Sequence, residues 1–223
     1  MKEKKTFGEK LRNILDKLGT MVLMNLMFLI ASLPIVTIGP AWNALLTAVR
    51  YNIRGDKWMD GFKFGYKTRF LRSLISWCGF LFPIYYFVTE ISFHWNKEQL
   101  VPLIAATFVF ALISMFLIAL QILNVYVPTK ISLWLHNARK LMKTGFIKVL
   151  GMAAVFWLPI FLLLLWTEVF ALATIVFLAV YYTLAALLTT MALKDNLVDF
   201  LLDARADGTL LAEEGRQRSE DEV

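Results

Sequence analysis

Apolar residues run along this chain in long blocks, so the first prediction is of helices buried on all sides. Four blocks, at about 72–94, 101–127, 147–166 and 169–193, are each long enough to cross a hydrocarbon layer of roughly 30 Å as a helix. A fifth, Met21 to Ile38, follows a lead in which Phe7, Leu11, Ile14, Leu15 and Leu18 recur at helical spacing among Lys2, Lys4, Lys5, Lys10, Arg12 and Lys17. A cleaved signal peptide needs a short apolar core and a small-residue cleavage site, whereas this run is long and continues into Pro34 and Gly39-Pro40. Residues 1–20 therefore read as an interfacial amphipathic segment ahead of an uncleaved helix.

The stretch Ser32 to Leu46 decides the sidedness of every later helix. Gly39 can take positive φ, and Pro40 fixes its own φ, gives no N–H and suits the first turn of a helix. A turn at Gly39-Pro40, near the outer surface, would send Ala41 to Ile53 back toward the side the chain came from. About 13 residues reach roughly 20 Å as a helix, short for a full crossing, so this segment either returns fully or is re-entrant.

Charge supports the return. With it, 22 of the 23 Lys and Arg residues fall on one side, as the positive-inside rule asks of the cytoplasm, and Lys97 alone falls outside. Without it, Arg50, Arg54, Lys57, Lys63, Lys67, Arg69 and Arg72 would all lie on the outer side. With the return, Trp42, Trp95 and Trp166 mark the outer boundary and Trp58 and Trp134 the inner one. The expected fold is an all-α polytopic membrane bundle. It has five long transmembrane helices, a short returning or re-entrant helix after Gly39-Pro40, cytoplasmic amphipathic helices and both termini inside. Residues 21–193 form one membrane domain, and 194–223 an acidic cytoplasmic tail whose end is expected to be disordered.

Composition agrees: 59% of the residues are hydrophobic, 18% are charged, and the mean hydropathy is +0.63. The net charge of +6 comes from basic residues beside apolar spans, which topology explains without nucleic acid. One cysteine, Cys78, builds neither a disulfide nor a CxxC site, and reads as a packed apolar thiol.

An offset of 76 residues aligns Lys67-Thr68, Phe70, Leu74, Phe80 and Pro83-Ile84 with Lys143-Thr144, Phe146, Leu150, Phe156 and Pro159-Ile160. This suggests a parallel repeat over about 54–94 and 130–166, each unit reading inward helix, amphipathic segment, outward helix. In the second segment Ile131, Trp134, Leu135, Ala138, Leu141 and Met142 oppose Lys130, His136, Asn137, Arg139, Lys140 and Lys143. The first carries Trp58, Phe62, Tyr66 and Phe70 at spacing four, interrupted by Gly61 and Gly65. Trp58, Lys63, Lys67, Trp134, Arg139, Lys140 and Lys143 are candidate contacts for anionic lipid or a partner.

No GxxxxGK[ST], HExxH, GxSxG or SxxK motif occurs, and the two histidines fall on opposite sides, so no catalytic, cofactor or metal site is expected. Asn25, Asn43, Gln121 and Asn124 are polar residues within apolar spans. Such groups cement helix packing or, alternatively, line a cavity. Glu90 and His94 are four apart near the outer end and suit a hydrated pair, and Asp195, Asp199, Asp203 and Asp207 make an acidic stripe.

Asn25-Leu26, then Leu33-Pro34-Ile35-Val36-Thr37-Ile38-Gly39-Pro40-Ala41, Ala44-Leu45 and Arg54-Gly55 ahead of an aromatic and basic segment resemble the YesL-like family of bacterial integral membrane proteins, a domain of unknown function. The resemblance covers most of residues 7–193 and is most specific at 33–55; the acidic tail lies outside it. It implies a bacterial plasma-membrane protein, often encoded beside binding-protein-dependent sugar importers, and carries over no catalytic residues. The functional expectation is a non-enzymatic accessory protein whose cytoplasmic segments contact subunits of a sugar ABC importer, with a homo-oligomer compatible with the same surfaces. The alternative is a small transporter or channel in its own right.

Overall fold

A computed structural model describes residues 7–68, 70–127, 129, 131–165, 171–198 and 202, with side chains except at 7–11, 13, 14, 131, 159–165 and 171–180. The described chain is helical and contains no strand. The elements in order are α1 (Phe7–Ala31), a 3-10 turn (Ile35–Thr37), α2 (Ile38–Arg54), α3 (Trp58–Lys67), α4 (Phe70–Asn96), α5 (Leu100–Tyr126), α6 (Ile131–Thr144), α7 (Phe146–Leu165) and α8 (Ala171–Ala192).

Helix α2 is the axis of the bundle. Every residue from Gly39 to Val49 is buried, and α1, α3, α4, α5 and α8 all pack on it. Small residues make this crowding feasible, because Gly39, Ala41, Ala44, Thr47 and Ala48 let neighbouring backbones approach. The helix ends at Gly55, which caps it at φ 90, a left-handed conformation that glycine adopts without a Cβ clash. The chain then doubles back as α3, laid along α2 through Gly61 and Gly65. A Cβ on Gly61 would lie 2.7 Å from Tyr51 Cγ, and one on Gly65 would lie 2.5 Å from Thr47 Oγ1. The two glycines that interrupt the amphipathic pattern are thus its contact face, one turn apart on the same side.

Around α2 the core is aromatic. Trp42 meets Phe28 at 6.1 Å and Phe156 at 5.1 Å between ring centroids, and Phe156 also meets Trp77 and Tyr182. Trp42 is therefore a core residue and not an outer-boundary marker: it is 2% exposed, enclosed by rings from α1 and α7. Beyond this core α4 and α5 continue as an antiparallel hairpin, with Phe80 against Phe116 and a turn that puts Glu98 at φ 54. The break between α6 and α7 bends the chain by 102°. At the 76-residue offset, Ser73 and Trp77 of α4 correspond to Val149 and Ala153 of α7, and all four are buried.

Two expectations about the turn are corrected. The chain reverses over Ser32–Thr37, with Thr37 as the N-cap, while Gly39 and Pro40 are already in the first turn of α2. Gly39 has no positive φ, since among the described residues Gly55 is the positive-φ glycine. What Gly39 supplies is a missing side chain: a Cβ there would fall 2.7 Å from Trp77 Cβ and 2.9 Å from the Ser73 carbonyl oxygen.

Two helices, Phe70–Asn96 and Leu100–Tyr126, are long and apolar enough to cross a membrane, and a third span arises if α6 and α7 are taken as one bent crossing. That is fewer than the five long crossings expected from apolar runs. Much of α7 and α8 falls on residues whose side chains lie outside the described set. Cys78 is exposed rather than packed. Trp166, Glu168, Lys130, Arg69 and the tail beyond Val198, apart from Leu202, also lie outside it.

Candidate functional site

One end of the bundle, its base, gathers the ends of several helices. Arg50 of α2 stands over the Tyr126 ring of α5 at 5.5 Å, and the Tyr126 hydroxyl and Thr190 of α8 are 2.6 Å apart. Arg72, at the start of α4, donates from Nη1 to the Thr129 carbonyl at 2.7 Å and lies 4.1 Å over the Trp134 ring of α6. Trp134 Nε1 in turn donates to the Leu120 carbonyl at 2.8 Å. These contacts, with Ala138 and Leu141 buried on the same stripe, seat α6 against α5. Lys148 of α7 donates to Asn196 Oδ1 at 2.9 Å just past α8.

Seating α3 by its glycines and α6 by its apolar stripe leaves a cationic face outward. Lys57, Lys63, Lys67, Arg139, Lys140 and Lys143 are all exposed. Trp58 is half-buried against the core, and Trp134 is buried. Trp134 is therefore removed from the candidate contact residues, because its ring and its N–H are both engaged within the bundle. The remaining basic side chains are placed to meet an anionic surface, lipid or protein.

A second cluster lies deeper, where α2, α4 and α5 meet. Asn43 Nδ2 donates to Ser73 Oγ at 2.9 Å, and Ser73 Oγ donates to Gln121 Oε1 at 2.6 Å. Gln121 Nε2 donates to Ser76 Oγ at 2.9 Å, and Ser76 Oγ to the Ser73 carbonyl at 3.0 Å. Asn43, Ser73 and Gln121 are each at most 3% exposed. The members are amides and hydroxyls, so they offer hydrogen bonds and no proton-transfer group. In an apolar setting such a chain ties three helices together.

The four polar residues singled out in the sequence do not form one group. Asn43 and Gln121 share the chain just described. Asn25 lies in a different seam, where its Oδ1 accepts from the Thr183 backbone N–H at 3.2 Å and Thr183 Oγ1 donates to the Met21 carbonyl. Asn124 is buried about one turn farther along α5. Sequence reading missed Ser73, Ser76 and the Arg72 clamp. The available signal was two serines three apart on an apolar helix directly after an arginine. At the opposite end His94 Nε2 lies 3.2 Å from Glu90 Oε2, and its Nδ1 lies 2.8 Å from Gln99 Oε1, which ties the end of α4 to the following turn.

Comparison with families places the central part of this architecture. Residues 21–91 match the family described as "Protein of unknown function, DUF624". This is the YesL-like family. The DUF624 match is shorter than the 7–193 span of the resemblance read from sequence. It runs from the apolar half of α1 through the reversal, α2 and α3, and along most of α4, so it holds Asn43, Ser73 and Ser76, while Gln121 and the whole of α6 fall beyond it. No curated protein and no solved structure matches the chain.

Proposed function

We propose that this DUF624 protein is a multi-pass protein of the bacterial plasma membrane that works without chemistry of its own, as an accessory contacting a partner through its cationic base. The partner proposed is a sugar ABC importer, the association that the family resemblance implies. In this reading both termini and the base face the cytoplasm. Helices α7 and α8, about 30 and 33 Å long at 1.5 Å per residue, cross the bilayer along with α4 and α5. The observation that carries the reading is the outward cationic face of Lys63, Lys67, Arg139, Lys140 and Lys143 on two helices that bury Phe62, Trp134, Ala138 and Leu141 on their other sides.

The interior weighs in the same direction. A transporter reading would draw on Asn43 and Gln121, yet each gives an N–H to a serine hydroxyl within the bundle, Asn43 to Ser73 and Gln121 to Ser76. Purification in mild detergent after in-cell crosslinking tests the partner. Enrichment of a permease or ATPase subunit with the wild type, and its loss in a Lys63→Glu, Lys67→Glu, Arg139→Glu, Lys143→Glu variant that still folds, is the expected result. Wild-type preparations without either subunit would remove the partner assignment.

A further inference from the structure

The reversal between α1 and α2 lies well short of the far end of the bundle. Trp77, two turns into α4, donates from Nε1 to the Ile35 carbonyl at 2.9 Å, and Gly39 abuts Ser73 and Trp77. Past Trp77, α4 runs on to Asn96, about 28 Å farther at 1.5 Å per residue. Gln121, beside Gly39, is about 31 Å from the start of α5 by the same rise. Helix α7 extends about 14 Å past Phe156, and α8 begins about 16 Å before Tyr182, the rings that close over Trp42 and Phe28. All four neighbours therefore continue beyond the turn.

If α4 crosses the hydrocarbon between Arg72 and Trp95, Trp77 is about 7 Å from the first of these and about 27 Å from the second. The turn then falls within the leaflet on the side of the base. Its surface suits that depth: Leu33 is 79%, Ile35 65% and Val36 45% exposed, an apolar tip left uncovered among the described residues. The carbonyls of Ala31, Pro34 and Ile35 suit it too, because carbonyls in hydrocarbon must be satisfied from within the protein. Thr37 Oγ1 lies 2.7 Å from both the Ala31 and Pro34 carbonyls, the Thr37 N–H donates to Pro34 O, Trp77 takes Ile35 O, and Pro34 has no N–H to satisfy. The apolar arms, Met21–Ala31 and Ile38–Val49, are about 16 and 18 Å long, each too short to cross a hydrocarbon layer of roughly 30 Å.

We infer that α1, the Ser32–Thr37 turn and α2 form a re-entrant hairpin that enters and leaves the bilayer on the side of the base, with Leu33, Ile35 and Val36 seated among acyl chains of that leaflet. This rests on α4 and α5 crossing the membrane and not on the accessory role. It replaces a turn at the outer surface with one inside the leaflet on the side of the base and leaves the sidedness of residues 54–72 unchanged.

Single-cysteine variants test it in a Cys78→Ala background, in liposomes with membrane-impermeant maleimide and with nitroxide labels. Leu33→Cys, Ile35→Cys and Val36→Cys are the tip positions, all exposed, so that one which misfolds leaves two. Glu98→Cys reports the far end and Lys57→Cys the base. The expected result is no maleimide labelling of tip positions from either face. Their nitroxides should be readily accessible to oxygen and several-fold less accessible to a nickel chelate than those at Glu98→Cys or Lys57→Cys. Tip labelling from the face that labels Glu98→Cys would establish a full crossing and overturn the inference. Low accessibility to both oxygen and nickel would put the tip against a second copy or another protein and overturn it equally. Glu98→Cys and Lys57→Cys labelling from one face would refute the membrane crossing of α4 and α5 itself.

Discussion

Gly39→Ala tests the packing at the centre of the bundle. The added methyl would sit 2.7 Å from Trp77 Cβ, 2.9 Å from the Ser73 carbonyl and 3.2 Å from Gln121 Nε2. Carbon atoms pack best at roughly 3.5 Å or more, so α4 must move away from α2 by about 0.8 Å. Neither Trp77 Cβ nor a helix carbonyl can swing aside as a flexible side-chain tip would. The same displacement stretches the Asn43–Ser73 bond, now 2.9 Å, past hydrogen-bond range. Overpacking costs about 1–3 kcal/mol and a strained buried hydrogen bond about 1 more, while replacing a helical glycine returns about 1. The net expectation is a loss of about 2 kcal/mol, or roughly 4–8 °C in Tm for a chain of this size. Thermal unfolding in mild detergent, followed by size-exclusion retention, measures it. Gly79→Ala is the matched control: it lies in α4 with nothing within 4 Å of its added Cβ, and its Tm should hold or rise slightly. A Gly39→Ala protein as stable as the Gly79→Ala protein would refute the close approach of α2 to α4.

Gly65→Ala puts a methyl 2.5 Å from Thr47 Oγ1 and 3.0 Å from Ala44 Cα, so it should cost about 1–3 kcal/mol; Thr47→Ala should recover less than half of the lost Tm, because the Thr47 Cβ and the Ala44 backbone remain. Ser73→Ala strips partners from Asn43 Nδ2 and Gln121 Oε1, with an expected loss of about 1–3 kcal/mol. In a double-mutant cycle with Asn43→Ala the coupling should exceed about 0.5 kcal/mol, and strict additivity would contradict the chain of bonds. Arg72→Ala should lower stability by about 1–2 kcal/mol, and Arg72→Lys should regain little of it, since an ammonium cannot both reach the Thr129 carbonyl and lie flat on Trp134. Full recovery with lysine would mean that charge alone matters there.

How much of the fold is legible in the sequence depends on how local each signal is. Helices α4 and α5 coincide closely with the apolar runs at 72–94 and 101–127, and the buried stripe of α6 with Trp134, Ala138 and Leu141, because length and helical period lie within one segment. Pro40 likewise falls in a first helical turn, a preference set by its own ring. Contacts between helices leave no such local trace. Gly39 resembles a turn residue because glycine permits positive φ, but glycine also permits close approach, and choosing between the two needs Trp77, Ser73 and Gln121, far along the chain. Gly61 and Gly65 pose the same choice, and spacing four is the clue that favours packing. Trp42 suggests a boundary because tryptophan favours interfaces, yet an indole fills a core equally well when aromatic neighbours surround it. The misreadings of Gly39 and Trp42 have a single origin. Assigning Gly39 to a turn and Trp42 to a boundary presumes that α2 lies at the periphery. Once the small residues of α2 are recognised as admitting five neighbours, α2 must be the axis, with its first turn seated against Trp77, two turns into α4.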